Sequence, residues 1–293
     1  MSRRFTGALV AASVAGGCWA ARHRVPGGAE RWERTNHRGE TVSLLEGPAW
    51  AAGAVAGVAA LGVPVRVRAG LAVATAGAAL FGAVDDLVES GTHKGLRGHL
   101  GELAAGRLTT GGLKVLGIGV TSLAAAALLL RPTSPRDQGL HARPVRMESL
   151  IITGWEVGVA GALVAGAANL ANLLDLRPGR VLKLAIASAA VAPASPAVAA
   201  AVGSSVSLLG PDLGERSMLG DCGANAAGAL LGAALVARTA DDGSRGRRLR
   251  AAVLTGVVAL TVASERVSFT RVIESAPVLR ELDALGRRPS QAS

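Results

Sequence analysis

The chain has 293 residues, of which 50% are hydrophobic, 18% are charged and 39 are glycine, with a mean hydropathy of +0.39 and a formal charge of +10. That composition leaves too little polar surface for a water-soluble globule, and an aromatic share of 2% is too small for base-stacking recognition of nucleic acid. Lys94, Lys114 and Lys183 are the only lysines, so the basic charge is almost all arginine; it points to anionic headgroups or phosphorylated substrates.

The apolar residues fall in long, nearly uncharged blocks, which predict an all-α, polytopic transmembrane helical bundle. Nine spans are predicted: 5–21, 48–64, 67–84, 112–130, 149–171, 180–193, 196–210, 222–238 and 250–264. The first follows Arg3 and Arg4 and would also suit a signal peptide, but the many apolar segments after it favour a first span. Trp19 closes that span and Trp50 opens the next, as an aromatic belt at one interface requires. Cys18 and Cys222 form no metal or redox motif, and no disulfide is expected.

Polar residues gather between the blocks. Asp85 and Asp86 end the third span; two adjacent carboxylates at a membrane boundary are costly unless a cation shares their site. Because neighbours on a helix lie about 100° apart, the two point differently, one toward metal or substrate and the other toward a basic neighbour. A solvated helix end is the plain alternative.

Glu156 lies in the fifth span, away from the other acids, where hydrogen bonding within the bundle is the favoured role. At the far end of that span Asn169, Asn172 and Asp175 recur at every third position and make one polar stripe before Pro178 ends the helix. Helix-to-helix hydrogen bonding would also explain them. Pro193 and Pro196 predict a tight hairpin between two short helices. In MLGDCGANAAG, Gly220 and Gly223 flank Asp221 where a loop enters a helix, a junction that favours phosphate, or simply an Asp-capped turn. After Glu265 the chain is too polar for a tenth span. Residues 1–264 are therefore read as the transmembrane domain and 265–293 as a polar tail that covers the site, meets anionic lipid or lies solvated as an amphipathic helix.

An acidic pair, then NxxNxxD, then GDxG entering a helix, in that order in a small polytopic chain, resembles the polyprenyl-phosphate N-acetylhexosamine-1-phosphate transferase superfamily over roughly residues 33–225. The resemblance implies transfer of a sugar-1-phosphate from a UDP-sugar to a polyprenyl phosphate, with release of UMP. It implies a cleft on the cytoplasmic face of the plasma membrane, and magnesium, with manganese as the substitute. On it, Asp85 and Asp86 match the catalytic acidic pair; Asn169, Asn172 and Asp175 match the nucleotide and diphosphate contacts; and Asp221 matches the metal ligand. Lys94, Arg97 and Arg107 are candidate phosphate clamps, with a solvated loop as the equal alternative. A homodimer is a further expectation.

The departures are specific. Asp175 is followed by Leu176 rather than glycine, the loop after the acidic pair carries no clear counterpart of the family lysine, and the histidine-rich loop of the muramoyl-pentapeptide branch is absent. They argue against that substrate and keep two alternatives open, a catalytically degenerate scaffold or regulator of envelope assembly and a small transporter. For the three motifs to share a face, two crossings must separate Asp86 from Asp175, and two more must precede Asp221.

Overall fold

The structure is a computed structural model that describes residues 3–36, 38–88, 110–131 and 154–288. Eleven α-helices occur among them: α1 (Arg3–Ala20), α2 (Glu46–Ala59), α3 (Val65–Val88), α4 (Thr110–Leu130), α5 (Gly154–Leu174), α6 (Arg180–Val191), α7 (Pro196–Leu213), α8 (Gly220–Arg238), α9 (Gly243–Ser264), α10 (Phe269–Ser275) and α11 (Pro277–Ala284). The first nine occupy the nine predicted apolar blocks. Four of them, α3, α4, α5 and α8, are long and apolar enough to cross a membrane, and α9 with α10, bent by 96° between them, makes a fifth candidate. The chain is thus an all-α protein with the makings of a membrane protein. The expected nine spans reduce to these four or five on length and composition, because α1, α2 and α6 are short and α7 and α9 do not meet the test alone.

Sequence dictates how closely the helices approach. The most buried is α8, GDCGANAAGALLGAALVAR, whose small side chains let α3, α5 and α2 come near its backbone. A methyl group on Gly82 of α3 would lie 2.8 Å from Cys222 Cα, and one on Gly228 would lie 2.7 Å from Ala168 Cα. Helix α1 packs on α2 and α7, and α9 packs on α5. Fully buried Trp50 ties α2 to α7 by donating from Nε1 to Ser205 Oγ at 2.9 Å. The proline hairpin is present: α6 ends at Val191, Ser195 Oγ accepts from the Val198 amide at 3.4 Å, and Pro196 opens α7, where its missing N–H costs nothing.

Two features outside the helices shape the site. A hairpin of β1 (Glu33–Thr35) and β2 (Thr41–Ser43), not foreseen in the sequence, pairs antiparallel with Arg34 opposite Val42. Ser43 extends it to Ser217 through a parallel bridge, just before α8. The tail folds back onto the bundle: Arg180 Nε and Nη2 donate to the Asp283 carboxylate at 2.7 and 3.1 Å, and Arg287 Nε donates to the Pro178 carbonyl at 2.9 Å. Of the three fates open to the tail in the sequence, the structure shows it docked at the α5–α6 turn.

Candidate active site

The last turn of α3, the first turns of α4 and α8 and the end of α5 converge at one end of the bundle. Asp85 and Asp86 are buried there, 5% and 8% exposed. Asp85 Oδ2 lies 2.6 Å from Lys114 Nζ, and the same ammonium donates to Asp221 Oδ2. Asp86 faces elsewhere: its Oδ1 accepts the Asp221 amide at 3.0 Å and its Oδ2 the Cys222 amide at 2.9 Å. These are N–H groups that the first turn of any helix leaves without an internal partner, so Asp86 caps α8 from a different helix. Arg34 of the hairpin donates to the Asp86 carbonyl, and Asn225 Nδ2 donates to the Asp221 carbonyl at 2.7 Å. Gly220, at φ +58, makes the turn into this helix in a conformation that other residues rarely adopt.

Asp175 lies just past α5 and accepts a hydrogen bond from the Gly220 backbone. Burial pushes its carboxyl well above the ordinary carboxylate range, and the charges of Asp212, Asp221 and Asp86 push it further. The structure thus brings together Asp85, Asp86, Asp175 and Asp221. Asn169 and Asn172 are half-buried on α5, which packs along α8; the Asp175 amide donates to the Asn172 carbonyl at 3.1 Å in the last turn of that helix. Lys94, Arg97 and Arg107 lie outside the described residues. Glu156 stands in the first turn of α5, where Arg247 of α9 pairs with it at 3.4 Å.

Sequence reasoning passed over several partners. Lys114 stood inside a predicted span and received no role, although a lone lysine in an apolar helix is itself a signal. Glu46, Asp212, Glu215 and Ser217 were also missed; they are buried near Asp175, and their positions depend on the hairpin and on the end of α7.

A cavity of about 570 Å³ opens beside the cluster, lined by Asn36, Asp175, Arg177, Asp212, Glu215 and Ser217 among others. Magnesium is commonly held by one or two carboxylates together with substrate phosphates. Asp85 Oδ2 and Asp221 Oδ2 converge on a single cation position, which the Lys114 ammonium takes, so this pair fits such an ion. Among the described residues no group of three or more His, Cys, Asp or Glu side chains surrounds a common point. Asp86, with both oxygens committed to amides, is the poorer ligand.

The arrangement defines a class: a helical bundle with a buried, cation-bridged acidic cluster at the end from which one helix N-terminus emerges. No protein-family model matches the chain, and no curated protein matches it significantly.

Proposed function

We propose that the protein transfers a sugar-1-phosphate from a UDP-sugar to a polyprenyl phosphate, releasing UMP, as the superfamily it resembles does. The observation that carries the reading is the meeting of Asp85, Asp86, Asp175 and Asp221, drawn from three separate motifs, at one end of the bundle, where Lys114 bridges Asp85 and Asp221. A bundle crossing the plasma membrane with this end toward the cytoplasm would let a lipid-borne phosphate meet a soluble nucleotide. With α1, α2, α6, α7 and α9 counted beside the four long helices, nine crossings keep the three motifs on that side.

The reaction joins two anions. A lipid phosphate has its second pKa near 6 and is largely ionised at neutral pH, so attack on the sugar-side phosphorus needs little help from a general base. Lys114 would pair with the diphosphate and hold it against the N-terminal end of α8, whose dipole favours negative charge. Asp85, released from Lys114 as phosphate takes the ammonium, would orient the incoming nucleophile. Asn169 and Asn172 would offer amide donors to the nucleotide along α5. Magnesium, when bound, would sit on Asp221 and Asp85 and offset charge between the two phosphates.

Purified protein given polyprenyl phosphate, magnesium and a panel of UDP-sugars should release UMP, and Asp85→Asn, Asp221→Asn and Lys114→Ala should each lower turnover by about 100-fold or more. Absence of release with every sugar, from protein shown to be folded, would sink this reading. It would favour a scaffold, which has one observation on its side: Asp85, Asp86 and Asp221 already find partners within the chain, in Lys114 and the α8 amides.

A further inference from the structure

The cavity beside the cluster is walled by acceptors. Glu215 is 5% exposed, yet its Oε1 has no partner, and the same holds for Ser217 Oγ and Asp175 Oδ2. The second Glu215 oxygen is taken, by Asn36 Nδ2 and Arg38 Nε, each at 3.1 Å. Asp212 adds a second buried carboxyl to the lining beside half-buried Asp175, and Glu46 is buried close behind it. Beyond Arg38, the nearby cations have partners in the tail: Arg180 and Arg287 hold Asp283, and Lys183 Nζ donates to the Leu282 and Asp283 carbonyls at 3.1 and 2.8 Å. Arg177 is the one cationic side chain in the described lining. Buried carboxyl oxygens without donors are costly, and a ligand that brings donors and positive charge removes that cost.

A nucleotide-sugar whose diphosphate rests at Lys114 can extend its sugar past Asp175 into the cavity, where Glu215 Oε1, Ser217 Oγ and Asp175 Oδ2 lack donors. The volume suits a small organic group, and the oxygens line the walls rather than ringing one point as a bare metal ion would require. A protonated amine offers three N–H donors and one positive charge.

We propose that this cavity seats a free, protonated amino group on the donor sugar, making the preferred substrate a UDP-amino sugar that is not N-acylated. The proposal rests on the transferase reading and narrows its substrate class. Calorimetric titration of the full-length protein in nanodiscs with UDP-glucosamine, UDP-N-acetylglucosamine and UDP tests it. UDP-glucosamine should bind about tenfold or more tightly than its N-acetyl counterpart, and Glu215→Gln should abolish the preference while leaving UDP affinity unchanged. Ser217→Ala, which should weaken the preference and leave UDP affinity unchanged, supplies a second variant should Glu215→Gln fail to fold, as judged by its thermal unfolding.

Equal affinities, a preference for the N-acetyl sugar, no binding by either sugar, or a preference that survives Glu215→Gln would overturn the proposal. So would an equal loss of UDP affinity in Glu215→Gln, which would put the uracil in the cavity. UMP release, measured separately, keeps the two readings apart. An amine preference without turnover sinks the transferase and leaves the amine seat, whereas turnover without the preference does the reverse.

Discussion

Successive residues on a helix lie about 100° apart, and at the end of α3 that rotation sends Asp85 to Lys114 and Asp86 to the backbone of α8. The consequences of substitution separate accordingly. Asp86→Asn replaces an acceptor of two amides by a side chain with a single acceptor oxygen; it should cost about 1–3 kcal/mol of stability, read by thermal unfolding in detergent. Asp85→Asn leaves the ammonium paired with Asp221, so it should cost less stability than Asp86→Asn while lowering UMP release by about 100-fold or more. Equal stability losses in both would refute the division of labour. That the pair must diverge was legible from helix geometry. What each would meet was not, because Asp86 binds main-chain groups, which carry no sequence signature, and because Lys114 comes from another helix. The stripe of Asn169, Asn172 and Asp175 was legible as a periodicity, yet only Asp175 reaches the cluster, since it lies past the end of α5 where the chain turns toward Gly220.

Among the elements, the contact of α3 with α8 depends on Gly82, whose added methyl would press on the backbone of Asp221 and Cys222. Gly82→Ala should therefore destabilise by about 1–3 kcal/mol and lower turnover as well, because it shifts Asp86 and Asp221 together; full activity in the variant would refute the coupling. The tail is held differently. Burial alone would raise the Asp283 carboxyl, but hydrogen bonds and charge from Arg180 and Arg287 outweigh it and hold the group below its usual 3.8. A lowered folded value means docking is stabilised above that ordinary value and loses this contribution as pH falls through the lowered one. Protease cleavage near residues 276–288 should accordingly rise below about pH 4 and should rise at neutral pH in Asp283→Asn. Protection indifferent to both changes would show the clamp to be unimportant. The tail's polarity was plain in the sequence, whereas its place was not, since Arg180 and Asp283 are far apart in the chain and meet only through the fold.

Across the whole molecule, helix parity joins architecture to chemistry. Helices α4 and α5 intervene between Asp86 and Asp175, and α6 and α7 between Asp175 and Asp221; on the proposed nine-span reading, these even crossings would return all three to one face. After replacement of exposed Cys18, cysteines introduced at Val88, Leu176 and Arg216 should react with an impermeant maleimide from one side of sealed vesicles, and cysteines at Val65 and Val191 from the other. Mixed sidedness within the first set would break the shared site.

The bridging ammonium also illuminates the chain's arithmetic. Of 31 basic residues only three are lysine, and one of the three, Lys114, stands between Asp85 and Asp221. A planar guanidinium is broader than an ammonium and does not fill a gap where two carboxylates close on one atom, so the commonest cation of this chain is the wrong shape for its central position.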